Sequence, residues 1–304
     1  MLSGREYGVL VGYDGSPAAK AALDWAAETA KHMDRSLTVL HCVDLSMVGA
    51  FPVYDAANVL PEIEEAGLAV LAEGVGRAGA ILDPARVQPL SAIGSGPSEL
   101  VEASREADLV VTGSRGRGRV LGGLLGSTSY AVTAHAHCPA VVVRVPPEAN
   151  GSPVEIPRPG PGRPVIAGLD DSDASERGLE AAAEVASATG ALLRLVTVLH
   201  PGSVGSWMYT ETSQAGDDRS HAARDAAEDL LKRAESHVLA GYPEQSVETE
   251  VLYGEPGHVI GELAANAGLV VVGSRGRGGF TGLLLGSVSH TVIHEAPCPV
   301  MVVR

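Results

Sequence analysis

The sequence predicts an α/β protein of two tandem domains, each an open five-stranded parallel sheet with helices on both faces. Three observations carry that prediction. A set of motifs recurs at a nearly constant offset, short apolar runs alternate with Ala-rich helical patterns, and a proline-dense stretch separates the two copies.

The repeat is read first, because it divides the chain. GSRGRG occupies 113–118 and recurs letter for letter at 273–278, an offset of 160. LLGSTS (124–129) and LLGSVS (284–289) keep that offset, as do CPAVVVR (138–144) and CPVMVVR (298–304). Upstream, VGYDGS (11–16) matches AGLDDS (167–172) at an offset of 156. The expected organisation is a domain over 1–145, a linker over 146–162 and a second domain over 163–304. The linker holds six prolines without periodicity, the composition of a stiff, extended spacer.

Within the first copy the elements follow in order. YGVLVGY (7–13) is a short apolar run, as in a buried strand. The stretch 17–33 places Ala22, Leu23, Ala26, Ala27 and Ala30 on one helical face. Strands are predicted at 36–44, 85–93, 108–113 and 139–145, and helices at 61–81, 97–107 and 127–136. The second copy repeats this, with strands near 164–168, 193–199, 247–252, 269–273 and 299–303. Continuous apolar strands are buried on both faces, and their alternation with helices implies right-handed crossovers and a parallel sheet. Ligands of such sheets sit at the carboxyl ends of the strands, where the strand order reverses.

Composition narrows the function. The 304 residues are 45% apolar, enough to pack two cores, and only 19% charged, unlike a disordered acidic chain. A net charge of −15 repels a phosphate backbone, so no nucleic-acid partner is expected. Three cysteines (Cys42, Cys138, Cys298) without a CxxC pair argue against a disulfide framework. No signal-peptide pattern opens the sequence and no apolar run is long enough to span a bilayer, so the expected location is the cytoplasm, with no membrane partner.

The chemistry concentrates in the loop after the fourth strand. It reads Gly113-Ser114-Arg115-Gly116, nine residues, then Gly126-Ser127; the second copy reads Gly273-Ser274-Arg275-Gly276, nine residues, then Gly286-Ser287. Glycines let main-chain N–H groups approach a ligand closely, and successive amides form an anion-binding concavity. Ser127 and Ser287 are predicted N-caps of the next helix, where orphan amides and the helix dipole favour a phosphate. Arg115, Arg117 and Arg119, and Arg275 with Arg277, are local cations on an acidic chain. The first strand ends in Gly12-Tyr13-Asp14, matched by Gly168-Leu169-Asp170; such an Asp is placed to accept ribose hydroxyls, to hold Mg²⁺ beside the phosphates, or simply to cap the next helix. A Walker A lysine is absent, and no GxGxxG follows the first strand.

The Gly-2x-Gly-9x-Gly-Ser pattern, the early strand ending in Asp and the final Cys-Pro strand resemble the universal stress protein family, in the tandem two-domain layout found in actinobacteria. The resemblance implies Rossmann-like domains of the adenine nucleotide alpha hydrolase-like type, one ATP per domain with Mg²⁺, and a role in stress response, growth arrest or dormancy. It carries over Gly12, Asp14, Gly113, Gly116, Gly126 and Ser127, and Gly168, Asp170, Gly273, Gly276, Gly286 and Ser287. It places the main-chain adenine contact at Cys42 and Val198, and pairs final strands across a homodimer or a pseudo-dimeric monomer. The wider candidate set adds Ser114, Arg115, Arg117, Gly118, Arg119 and Thr128 in the first domain, and Ser274, Arg275, Arg277, Gly278, Gly279, Val288 and Ser289 in the second. Arg119 becomes Gly279, which predicts tighter triphosphate binding in the first domain.

Other residues read as structural. Cys138 and Cys298 suit apolar packing at a strand start, and His41 suits a strand interior. His135 and His137, two apart, point to different helix faces. The connections 44–60 and 200–220 are long enough for lids, with Phe51 and Trp207 placed to cover a nucleotide. No general base or phosphate-loop lysine marks a hydrolytic apparatus, so the expected output is a change of conformation or of protein partner, with little or no ATP hydrolysis. The alternatives are an ATP-dependent phosphoryl- or adenylyl-transfer enzyme and a nucleotide-free interaction scaffold; another adenine nucleotide, such as cyclic AMP, also remains open.

Overall fold

A computed structural model describes residues 6–44, 56–114, 125–145, 155–200, 213–277 and 284–304, without the side chains of 56–59 and 213–220. The chain divides into two compact units, Met1–Ile156 and Pro157–Arg304. In the first, β1 (Gly8–Gly12), α1 (Pro17–His32), β2 (Leu37–Val43), α2 (Ala56–Gly79), β3 (Val87–Ile93), α3 (Gly96–Ala103), β4 (Ala107–Gly113), α4 (Ser127–His135) and β5 (Ala140–Val143) follow in order. The second repeats them as β6 (Val165–Gly168), α5 (Asp173–Thr189), β7 (Leu193–Leu199), α6 (Ser213–Gly241), β8 (Val247–Tyr253), α7 (Pro256–Leu263), β9 (Leu269–Gly273), α8 (Ser287–Glu295) and β10 (Val300–Val303).

Every pairing between these strands within each unit is parallel. The strand order is β3-β2-β1-β4-β5 in the first unit and β8-β7-β6-β9-β10 in the second. The chain steps outward from β1 to β3, then crosses back to β4, so right-handed crossovers put α1 and α2 on one face and α3 and α4 on the other. The helix contacts agree, with α1 packed on α2 and α3 on α4. Each unit is thus the five-stranded Rossmann-like sheet the sequence predicts.

Burial follows strand position. β4 and β5 are buried almost throughout, whereas β3, paired with β2 alone in the first unit, is exposed or half-buried after Val87 and tolerates Pro89. Leu10, Leu40, Leu100, Val110 and Val132 form a core cluster under α3 and α4. On the other face, Ala22, Leu23, Ala26, Ala27 and Ala30 of α1 are buried, as the helical stripe predicts.

Three helix boundaries differ from expectation. α2 begins at Ala56 and carries Pro61 inside it, so the helix runs upstream of the predicted start at 61. α6 begins at Ser213, which shortens the expected connection 200–220 just as α2 shortens 44–60. Phe51 and Trp207, proposed as covers, lie outside the described residues. α3 stops at Ala103, short of 107, because Ser104 terminates it: the hydroxyl donates to the Val101 carbonyl (2.5 Å) and accepts from the His137 amide (2.9 Å), which frees the chain to enter β4.

Candidate functional site

The carboxyl ends of β1 and β4, and of β6 and β9, are where the strand order reverses. In the second unit a cavity of about 600 Å³ opens there. It brings together Gly168 and Asp170 from the end of β6, Val198 from β7, Gly273, Arg275, Gly276 and Arg277 from the loop after β9, and Gly286, Ser287, Val288 and Ser289 from the start of α8. The sequence selected each of these.

Sequence reasoning missed the apolar wall. Leu169, His200, Pro256, Ile260 and Leu285 also line the cavity. His200 follows β7 and Pro256 opens α7, so both lie on elements that flank the crossover. Their position just past strand carboxyl ends was the available signal. The apolar lining residues Val198, Pro256 and Ile260 thus come from β7 and α7, the apolar end of the crevice, and the polar lining comes from the loop after β9 and the start of α8.

Glycine at the end of the first strand serves packing. A Cβ on Gly12 would stand 2.8 Å from Leu100 Cδ1, and one on Gly168 would stand 3.0 Å from Ile260 Cδ1. The third helix of each unit presses onto the strand end, which draws the apolar wall close to the crevice.

Ser114 and Ser274 brace the loop. The Ser114 amide donates to the Val143 carbonyl (2.8 Å), and its own carbonyl accepts from the Gly126 amide (2.9 Å). Ser274 repeats this with Val303 (2.6 Å) and Gly286 (2.7 Å). The Ser129 hydroxyl donates to the Gly113 carbonyl (2.6 Å), and the Ser289 hydroxyl to the Ser274 carbonyl (3.1 Å). Ser289 thus lies at the cavity wall with its hydroxyl turned to the loop, and helix and strand end are tied together independently of any ligand.

Ser127 and Ser287 are not the N-caps predicted for them. The caps are Gly126 (φ −65°, ψ 152°) and Gly286 (φ −75°, ψ 163°), without a side-chain cap bond. The extended backbone that an N-cap needs falls on the glycine, so each serine becomes the first helical residue. The consequence is chemical: the N-cap residue offers no side-chain acceptor to the first-turn amides, as an N-cap serine would, and those amides suit an anion.

Asp14 and Asp170 are not caps either. Ser16 caps α1, its hydroxyl accepting from the Ala19 amide (3.2 Å), and Ser172 caps α5, accepting from Ser175 (3.3 Å). Each aspartate lies two residues upstream and accepts from the cap residue's amide, at 2.9 Å for Asp14 and 3.2 Å for Asp170. Asp170 does more. Its Oδ1 also accepts from the Ser172 hydroxyl (2.6 Å), and its Oδ2 accepts from the Arg277 amide (3.1 Å). A carboxylate oxygen therefore already sits on a loop amide, which shows that this N–H is presented to an anionic acceptor.

In the first crevice, Gly12, Asp14, Cys42, Gly113, Ser114, Gly126, Ser127 and Thr128 occupy positions equivalent to those of the second. Arg115, Gly116, Arg117, Gly118 and Arg119 lie outside the described residues, as do Gly278 and Gly279, so the comparison of Arg119 with Gly279 does too. Among the described residues no cluster of three or more His, Cys, Asp or Glu is placed to hold a metal. His41 is structural: it is buried, and its Nδ1 lies 2.7 Å from the Tyr13 carbonyl oxygen, a place taken in the second unit by the Thr197 hydroxyl on the Leu169 carbonyl (3.1 Å).

Cys42 is the sixth of seven residues in β2, as Val198 is in β7. Burial, with Glu99 nearby, pushes its thiol up to about 12. At pH 8 Cys42 should therefore alkylate at least about a hundredfold more slowly than an unhindered thiol, because so little thiolate is present. Mass-spectrometric tracking of iodoacetamide adducts checks this; labelling at the rate of free cysteine would contradict it.

The model of the universal stress protein family matches residues 8–144 and 162–304. The chain belongs to the universal stress protein family. Two universal stress proteins of Mycobacterium tuberculosis agree: Rv2005c is 35% identical over 310 residues, covering 99% of this chain and 98% of its own, and Rv2623 is 33% identical over 312 residues, covering 100% and 99%. A solved universal stress protein from Archaeoglobus fulgidus has a TM-score of 0.66 at 22% identity, over 98% of this chain and 99% of that one, a likeness of fold. This universal stress protein chain carries the family's unit twice, and among its described residues no helix is long and apolar enough to cross a membrane.

Proposed function

We propose that the protein is an ATP-binding regulator that takes one nucleotide per unit and acts through conformation or partner choice, with little or no hydrolysis. The observation that carries this reading is the Arg277 amide, held by the Asp170 carboxylate at 3.1 Å beside the helix start at Ser287. That carboxylate stands in for a phosphate oxygen on the same donor. The cavity of about 600 Å³ lies within the usual range for small-molecule sites, with the base suited to the apolar end and the phosphates to the amides.

Mg²⁺ fits as a passenger of the nucleotide. Mg²⁺ is usually held by one or two carboxylates together with substrate phosphates, and each crevice supplies one aspartate, Asp14 or Asp170. Asp170 would hold the ion in the second unit after releasing the Arg277 amide; Asp14 is the equivalent residue in the first. The ion would supply neutralising charge for the phosphates. Loop amides and the α4 and α8 starts would orient the phosphates, and the wall near Val198 would exclude water from the base. A role in stress response, growth arrest or dormancy, and an unidentified protein partner, complete the proposal.

Native mass spectrometry of the purified full chain, followed by nucleotide extraction and a turnover assay, tests it. Bound adenine nucleotide released unchanged, with added ATP turning over more slowly than about once per minute, is the expected result. Rapid turnover or an adenylated product would favour a transferase instead, and absence of nucleotide even after incubation with millimolar MgATP would remove the reading.

A further inference from the structure

Outside the crevice, α8 carries two histidines one turn apart. His290 and His294 stand at i and i+4, a spacing that puts both side chains on one helix face. Their ring centroids are 4.4 Å apart, with the planes inclined at 46°. His290 is exposed and His294 half-buried, so the pair is open to solvent. The equivalent positions of α4 are Tyr130 and Ala134, so the pair belongs to the second unit alone.

The spacing of the rings matches a shared ligand. An ion about 2.1 Å from an imidazole nitrogen lies roughly 3.2 Å from that ring's centroid, so two rings at a right angle about one ion have centroids about 4.5 Å apart. An inclination of 46° is neither the offset-parallel nor the edge-to-face arrangement that aromatic rings prefer with each other. The adjacent acid is engaged elsewhere, since Glu295 Oε2 lies 2.8 Å from His258 Nδ1 of α7. With no three-residue metal cluster among the described residues, the pair supplies two ligands and leaves the other positions to water.

We propose that His290 and His294 form a bis-imidazole chelate for a first-row divalent transition cation of the Cu²⁺, Ni²⁺ or Zn²⁺ class. Two neutral nitrogen donors select these borderline ions over Mg²⁺ and Ca²⁺, which take oxygen ligands. The chelate pins one turn of α8, the helix whose first residues, Ser287 and Val288, line the crevice. It requires no bound nucleotide and stands whether or not the crevices bind ATP.

The test is calorimetric titration of the full chain, stripped of metal, with CuCl₂, NiCl₂, ZnCl₂ and MgCl₂ at pH 7.5. The expected result is a saturable site that binds Cu²⁺ more tightly than Ni²⁺ or Zn²⁺ and ignores Mg²⁺. His290→Ala and His294→Ala should each weaken it at least about tenfold, while His258→Ala leaves it unchanged. Absence of saturable binding, or affinity in either variant equal to that of the unaltered protein, would overturn the assignment. A readout independent of variants is the electron paramagnetic resonance spectrum of the unaltered protein with one equivalent of Cu²⁺. Hyperfine structure from two imidazole nitrogens supports the chelate, and a signal from oxygen ligands alone overturns it.

Discussion

Gly276→Val should abolish nucleotide binding in the second unit while leaving the fold intact. A Cβ at this position would collide with Asp170 Oδ2 and stand 3.4 Å from Asp170 Cγ. Asp170 would have to turn against the hold of Ser172, whose amide and hydroxyl donate to its Oδ1 at 3.2 and 2.6 Å. Either the carboxylate or the loop must shift, and the bond between the Arg277 amide and Asp170 is lost. The added side chain would also stand between the phosphates and the backbone donors they need. A loss of at least about a hundredfold in affinity is expected, roughly 2.7 kcal/mol. Calorimetry should then show binding fall from about two equivalents per chain to about one, with the thermal midpoint moved by only a few degrees. Undiminished binding at both sites would mean that phosphates do not approach this glycine.

The loop's first glycine is under a different constraint, and Gly113→Ala should cost the first unit about 2–4 kcal/mol of stability. Its Cβ would come within 2.6 Å of both the carbonyl carbon and the oxygen of Ala18, backbone atoms near the start of α1. Backbone cannot rotate away as a side chain does, so the strand end and the helix would have to separate. Gly273→Ala is the internal control. There the nearest atoms are Ala174 Cβ at 3.1 Å and backbone atoms at 3.2 Å, a tight contact that small shifts relieve at about 1 kcal/mol. Urea unfolding of the two variants side by side checks the contrast. Equal losses, or a larger loss for Gly273→Ala, would contradict it.

These glycines show which parts of the molecule were legible in the sequence. The repeat of GSRGRG, with apolar runs on either side, located all ten strands to within about two residues, because buried parallel strands write continuous apolar stretches into the chain. It also located the glycine loop and the helix start of the second cavity, because those residues are near one another in sequence; Asp170 was found by its match to Asp14, and Val198 through the family resemblance. Contacts between distant segments were not legible. Asp170 meets the Arg277 amide across 107 residues, and Ile260 presses on Gly168 from a separate helix; neither leaves a local pattern. The capping error is different in kind. Serine is the commoner N-cap, so Ser127 drew the assignment, but the extended turn falls one residue earlier on Gly126.

Co-crystallisation of the full chain with MgATP gives the most direct answer. Phosphate oxygens within hydrogen-bond distance of the Arg277 and Ser287 amides are expected, with Asp170 turned from the loop toward the metal and the base against Val198. A second crevice that stayed closed by the Asp170 carboxylate at saturating nucleotide would contradict the proposal that these amides exist to hold phosphate.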